Sequence, residues 1–424
     1  MQKIFVLRSS LFFISLLLFG GIDLGYFADD KIYPNLYFPT HKDISKPLPI
    51  KDTGYLLVSL EKYLGKNGLY NSQSRLLNLI SNGSPLILQD SNGLVHKSSK
   101  ITIGWRNVQL ESPKTVSRQV IGPFSSFESA QRIAVLLDQD GIENVIAHPS
   151  DWEIWVSNKI KLPKGLKFSL FEEKLLNKLQ PFLKLDSGTF LLSGDIKINA
   201  PDGLLWKKGL YSGPFLLKPD AYGTWTFIEK VPVEKYLLGV LPHEMGRNSP
   251  LAALSAQAVL ARTWAIANSH RFEIDGYHLC SDTQCQVYKD PRLANESVRN
   301  AITNTAGMLL KWGNKPIHAV YHASNGGVSA DIQEAWSMDS VPYLRAKLDG
   351  NREWQTNFSL PLSKTSDVSK FLASSKGVYG KNHPRFRWAR TVTDKEIKIR
   401  LYTLSEFLKN YQKNQIPQSF LSND

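Results

Sequence analysis

The spacing of apolar and polar positions changes several times along the chain, and each change predicts a different element. An apolar run from Leu11 to Ile22 follows Lys3 and Arg8. It is too short to cross a bilayer as a stable helix, and a basic start before a short apolar core predicts a secretory signal over residues 1–23. The Pro- and Lys-containing stretch from Lys31 to Thr53 reads as a tether. Gly54 to Leu64 and Ser72 to Ile80, the latter with Leu76, Leu77 and Ile80 at helical spacing, predict two amphipathic helices. A strand over Gln119–Phe124, a helix over Ser125–Asp138 ended by Gly141, and strands at Val145–Ala147 and Trp152–Val156 follow. Short runs broken by Gly, Asp and Pro (190–192, 196–198, 215–217 and 225–228) predict an antiparallel meander. Beyond Val231 the pattern becomes helical. Ser249-Pro250 is expected to open a long Ala-rich helix from Leu251 to His270, and Leu404 to Gln412 is a last helical pattern. The class is α+β: a helical region joined to antiparallel β elements, with a small βαββ module upstream. The segments are 1–23, an N-terminal region 24–99, the module 100–185, the meander 186–230, the helical core 231–345 and a basic extension 346–424.

Composition narrows the range of partners. Apolar residues make up 42% of the chain and charged ones 21%, as in ordinary globular proteins. The formal charge of +13 predicts an anionic partner: nucleic acid, a membrane surface or an acidic wall polymer. A secretory signal removes nucleic acid from that set and places the chain in the periplasm or cell envelope, anchored by the N-terminal segment where it is not cleaved. Membrane contact is then expected only through that segment.

Four strings carry the chemistry: "YLLGVLPHEM" ending at Met245, "ALSAQAVLARTWA" within the long helix, "CSDTQCQVY" from Cys280, and "YHASNGG" from Tyr321. In this order and at these separations they resemble the SpoIID/LytB domain, named for stage II sporulation protein D, over about 100 residues. The 119–156 region, with its "GPF" turn, resembles the sporulation-related repeat (SPOR), a small glycan-binding module. The SpoIID resemblance implies a lytic transglycosylase that cuts peptidoglycan glycan strands, with Glu244 as catalytic acid. The residue chemistry agrees. Breaking a glycosidic bond needs a carboxylic acid to protonate the leaving oxygen, and ordinary hydrolases add a second carboxylate. A lytic transglycosylase manages with one, which afterwards takes the proton of the muramic acid 6-hydroxyl. Such a group needs a raised pKa, and Val240, Leu241, Pro242 and Met245 would provide the apolar setting.

Other candidates surround it. Arg262, a charge within an Ala-rich helix, must find a partner: the substrate, Glu234 or Glu244. Gln257, Tyr321, His322, Ser324 and Asn325 are candidate sugar contacts. Cys280 and Cys285 are the only cysteines. In an exported protein they default to a disulfide. With His278 they also offer three ligands for a structural zinc, a site the resemblance implies, with His270 or His322 as substitute histidines. The acid–base cycle itself requires no cofactor, and no His-Glu-x-x-His motif suggests a zinc hydrolase. Tyr343-Leu344-Arg345 and Trp354 still resemble the family; beyond them the extension is short. A wall-binding module that stimulates a cell-wall amidase, as the LytB branch implies, is therefore the alternative.

Overall fold

Burial at every second position makes strands of most of the chain before Val233. The computed structural model describes residues 54–65, 76–336, 338–398 and 401. The signal (1–23), the tether (31–53) and the Leu404–Gln412 helix lie outside the described residues. The first strands are β1 (Tyr55–Leu64), β2 (Leu77–Ser81), β3 (Leu86–Gln89), β4 (Val95–Ser98) and the long β5 (Lys100–Phe124). A helix α1 (Phe127–Gln139) and strands β6 (Asn144–Ala147) and β7 (Trp152–Ser157) complete the βαββ order. There follow β8 (Ser169–Leu185), β9 (Gly188–Leu191), β10 (Ile196–Asn199), β11 (Leu204–Trp206), β12 (Gly209–Tyr211), β13 (Phe215–Pro219) and β14 (Trp225–Pro232). The helices α2 (Val233–Glu244) and α3 (Leu251–Ala267), the short strand β15 (Leu279–Cys280) and α4 (Glu296–Asn304) come next.

Two expected helices are corrected. Of residues 54–64, Tyr55–Leu64 form β1, antiparallel to β14 and parallel to β15. Residues 77–80 of the second lie in β2, antiparallel to β5, while 72–75 are outside the described residues. Leu77 and Leu79 are fully buried whereas Leu76 and Ile80 are exposed, so the period here is two, and Leu77 points away from the face that Leu76 and Ile80 share. Runs this short satisfy either period, and neighbouring strands decide between them. The βαββ elements and the meander fall where the pattern places them. Ser126 caps α1 by accepting from Ser129 N–H (3.1 Å), and Gly141 adopts φ +72 beyond its end.

The strands form a seven-stranded sheet, β15-β1-β14-β13-β10-β3-β4, and an eight-stranded one in which β5 pairs with β2, β7 and β8. One continuous core runs from Leu56, Leu79 and Ile103 on the sheets to Leu237, Leu241, Ala258 and Ala261 on the helices. Ala258, Ala261 and Ala265 are completely buried; small side chains there let α3 pack closely. Pro250, not Ser249, holds the N-cap position of α3; the Ser249 hydroxyl donates to Met245 O (2.8 Å), and the helix stops at Ala267. All of this belongs to a unit ending at Tyr321.

A second unit begins at His322. Its core is Trp354 with Phe358, Phe371, Val378 and Phe386. Trp354 Nε1 donates to Gly327 O (2.8 Å), and a side chain at Gly327, whose φ is +101, would collide with the indole at 2.7 Å. Among the described residues no helix is long and apolar enough to cross a membrane.

Candidate active site

Glu244 is the last residue of α2, where helix carbonyls emerge and a negative charge is least welcome. The side chain is half-buried. Its Oε1 accepts a hydrogen bond from Val287 N–H (3.3 Å), and the neighbouring Tyr321 phenol acts on the carboxylate as a nearby donor. Burial raises the Glu244 pKa, and these two donors lower it by a smaller amount. The group therefore holds a proton more readily than a free glutamate while keeping two donors that fix its direction.

Behind it stands a directed chain of hydrogen bonds. The buried Tyr236 hydroxyl donates to Gln286 Oε1 (3.1 Å), which turns the amide nitrogen toward Tyr321. Gln286 Nε2 then donates to the Tyr321 oxygen (2.9 Å), leaving the phenolic hydrogen for Glu244. Burial and the neighbouring carboxylate push the Tyr321 pKa up, so the phenol stays protonated and remains a donor. Gln286 is 1% exposed and makes no contact with bulk water that would compete.

Gly239 makes the approach of this loop to α2 feasible. Lys289 N–H donates to Gly239 O (3.1 Å), and a Cβ at 239 would lie 2.5 Å from Lys289 O and 2.4 Å from the Tyr288 ring. Only glycine lets the 287–289 segment cross α2 closely enough to bring Val287 N–H to Glu244. Two residues before Val287, Cys285 is joined to Cys280 by a disulfide, which closes the loop just ahead of Gln286.

Residues 221–312, which hold Glu244, Gln286 and Val287, match the family described as Stage II sporulation protein. This segment resembles a SpoIID domain. The chain is 38% identical over 140 residues to the amidase enhancer of Bacillus subtilis (strain 168), covering 33% of this chain and 19% of that protein. It is 33% identical over 135 residues to stage II sporulation protein D of Bacillus amyloliquefaciens, covering 28% and 39% respectively. For stage II sporulation protein D of Bacillus subtilis the figures are 28% over 180 residues, covering 35% and 52%. The match thus spans about half or less of each relative's own length. Residues 330–419 match a separate family described as Domain of unknown function (DUF8618).

Within residues 221–312, Arg262 faces inward. It is 1% exposed and binds Glu234 through two parallel bonds, Nε to Oε1 (2.9 Å) and Nη2 to Oε2 (2.7 Å). Nη1 reaches the carbonyls of Met308 (3.2 Å) and Ala258 (3.4 Å). Of the partners expected for it, the structure supplies Glu234, and the guanidinium ties α2 to α3 and to the chain after α4. Gln257 is 6% exposed within α3, and its Nε2 has no hydrogen-bond partner among the described residues.

The zinc set of Cys280, Cys285 and His278 does not fit this arrangement. Both sulfurs are in the disulfide, so neither is the thiolate a zinc ligand must be. His278 Nδ1 accepts Leu57 N–H (3.1 Å) and holds the loop against β1. His270, the substitute, hydrogen-bonds Gln131 through Nε2 (3.2 Å). Among the described residues no three His, Cys, Asp or Glu side chains are grouped to hold a metal.

Tyr321 closes the first unit, and His322, Ser324 and Asn325 belong to the second. His322 is exposed there. Ser324 Oγ accepts from Gly326 N–H (3.4 Å), while Asn325 accepts from Gly327 N–H (2.9 Å) and donates to Asp349 (2.7 Å). These side chains build the turn on which Trp354 packs. Tyr236 and Gln286 are functional residues the sequence pattern did not single out. Gln286 was visible as the polar residue after Cys285, but nothing in the spacing joins it to residues 236 and 321.

Proposed function

We propose that this chain is an exported lytic transglycosylase that cuts peptidoglycan glycan strands at the cell envelope, with Glu244 alternating as acid and base. The observation that carries this reading is the half-buried Glu244 carboxyl, its pKa raised by burial and its direction held by Val287 N–H and Tyr321. Protonated Glu244 gives its proton to the glycosidic oxygen as the bond to the muramic acid C1 breaks. The carboxylate then takes the proton of the C6 hydroxyl as that oxygen closes onto C1. The product carries a 1,6-anhydro ring, no water is consumed, and Glu244 ends protonated again. The Tyr236–Gln286–Tyr321 chain supplies a donor that steadies the charged form between the two steps. The SpoIID match and the relatives named stage II sporulation protein D support this reading.

The test is direct. The purified chain, incubated with glycan strands stripped of stem peptides, is expected to produce anhydro-muramic ends detectable by mass spectrometry. Intact strands after prolonged incubation would remove the enzymatic reading. A second reading, stimulation of a wall amidase without cleavage, is favoured by the relative named amidase enhancer. It predicts faster amidase release of stem peptides in the presence of the chain, with no anhydro ends.

The pH dependence follows from the acid step. The free enzyme needs Glu244 protonated, so kcat/KM falls as pH rises through its raised pKa. Tyr321→Phe removes a donor that favours the carboxylate, so the Glu244 pKa rises further and this alkaline limb moves to higher pH. Turnover is expected to fall by roughly tenfold or less, the scale of one lost hydrogen bond. A limb that stays in place in Tyr321→Phe would separate the phenol from the acid.

A further inference from the structure

A concavity lies at the other end of α2 from Glu244. It holds about 360 Å³ between the 201–203 turn with Asp202, β12, α2, the 288–292 segment and α4. Leu238 and Tyr211 supply apolar wall, and the exposed cations Lys235, Arg292 and Arg299 stand around it. Arg292 is held by Asp290 (2.7 Å), whereas Lys235 and Arg299 have no ion-pair partner among the described residues. Tyr211 is 5% exposed as a residue and lines the cavity. A hydroxyl on the wall of a pocket ringed by cations suits a polar group that arrives from outside.

We propose that this pocket is a second subsite for the glycan strand, taking the lactyl carboxylate of a muramic acid residue remote from the bond that is cut. Lys235 and Arg299 bind the carboxylate, the Tyr211 hydroxyl bonds a sugar oxygen, and Leu238 packs on the ring. Lys235 and Glu244 are nine positions apart on α2, about 13 Å along the axis at 1.5 Å per residue. The Tyr288 edge of the pocket is the residue after Val287, whose N–H holds Glu244. One strand of several sugars would therefore engage both places, and the weak hold of each would add as an intramolecular gain. This subsite rests on the reading that the chain acts on glycan strands.

The experiment separates binding from cutting by working in the Glu244→Gln background, where strands stay intact. Calorimetry with stem-stripped glycan strands is expected to show roughly tenfold weaker binding on adding Lys235→Gln and Arg299→Gln together, with a shallower dependence on salt. Strands whose carboxyls have been amidated should bind the unaltered pocket about as weakly, and Tyr211→Phe should weaken binding with little change in salt dependence. Thermal melts within a few degrees of the parent would establish that the variants fold. Equal binding of free and amidated strands, or no loss in the double variant, would overturn the proposal. Preference for poly(glycerol phosphate) over the glycan would overturn it in favour of a phosphodiester polymer. These outcomes do not depend on whether the parent chain forms anhydro ends, so failure of the cutting reaction and failure of the subsite are distinguishable.

Discussion

Glu244→Gln is expected to abolish anhydro-end formation almost completely, with a loss of about 10²–10⁴-fold, the contribution of a positioned general acid–base. The amide matches the carboxyl in shape and can still accept Val287 N–H, so the loop and α2 should keep their places. It carries no acidic proton and cannot take one back, so both halves of the cycle fail together. Glycan binding and the melting temperature should change little. Because one residue serves both steps, a small nucleophile such as azide should not restore cleavage, as it does where a missing carboxylate acted only by attacking the sugar. Anhydro ends at the parent rate in Glu244→Gln would place the acid elsewhere; the nearby carboxyls are otherwise engaged, the buried Glu229 by Ser212 N–H, Gly213 N–H and the Tyr288 hydroxyl, and the half-buried Asp290 by Arg292.

Arg262→Ala is the second change with a large expected effect, and it acts on stability. The guanidinium is 1% exposed and makes four hydrogen bonds. Its loss leaves a cavity between α2 and α3 and strips partners from Glu234 and from the Met308 carbonyl. Breaking a buried pair typically costs about 3–5 kcal/mol. The Glu234 side chain is 40% exposed and recovers part of its solvation, which brings the expectation down to roughly 2–4 kcal/mol. A fall in melting temperature of about 5–10 °C would correspond. Arg262→Lys should recover little of it, because an ammonium cannot bind Glu234 with two parallel bonds and reach the carbonyls as well. A variant that melts like the parent but no longer binds glycan would return Arg262 to the substrate. The outcome bears on the active site as well, since α2 carries Glu244 at its far end.

The disulfide shows how the same residues support different chemistry until their neighbours are known. His278, Cys280 and Cys285 have the composition of a zinc site, and nothing in their spacing distinguishes that from a cross-link. In the fold, His278 faces the backbone of β1 through Leu57, and the two sulfurs are bonded to each other. Ser324 and Asn325 make a similar point. As a polar string beside two glycines they suit a sugar, yet their hydrogen bonds go into a turn supporting Trp354.

Local pattern alone determined a good deal. The helix expected over 125–138 and its end at Gly141, the strands of the βαββ order and the meander, and the run of small residues in α3 all follow from residue type and period. These are properties a chain segment expresses with its near neighbours. Tertiary structure decided whether 55–64 and 77–80 were strands, which partner Arg262 takes, and what stands behind Glu244. The Tyr236–Gln286–Tyr321 chain joins positions 50 and 35 residues apart. Hydrogen bonds over such separations form only when packing has brought the elements together, and no periodicity along the chain encodes which side chains will meet.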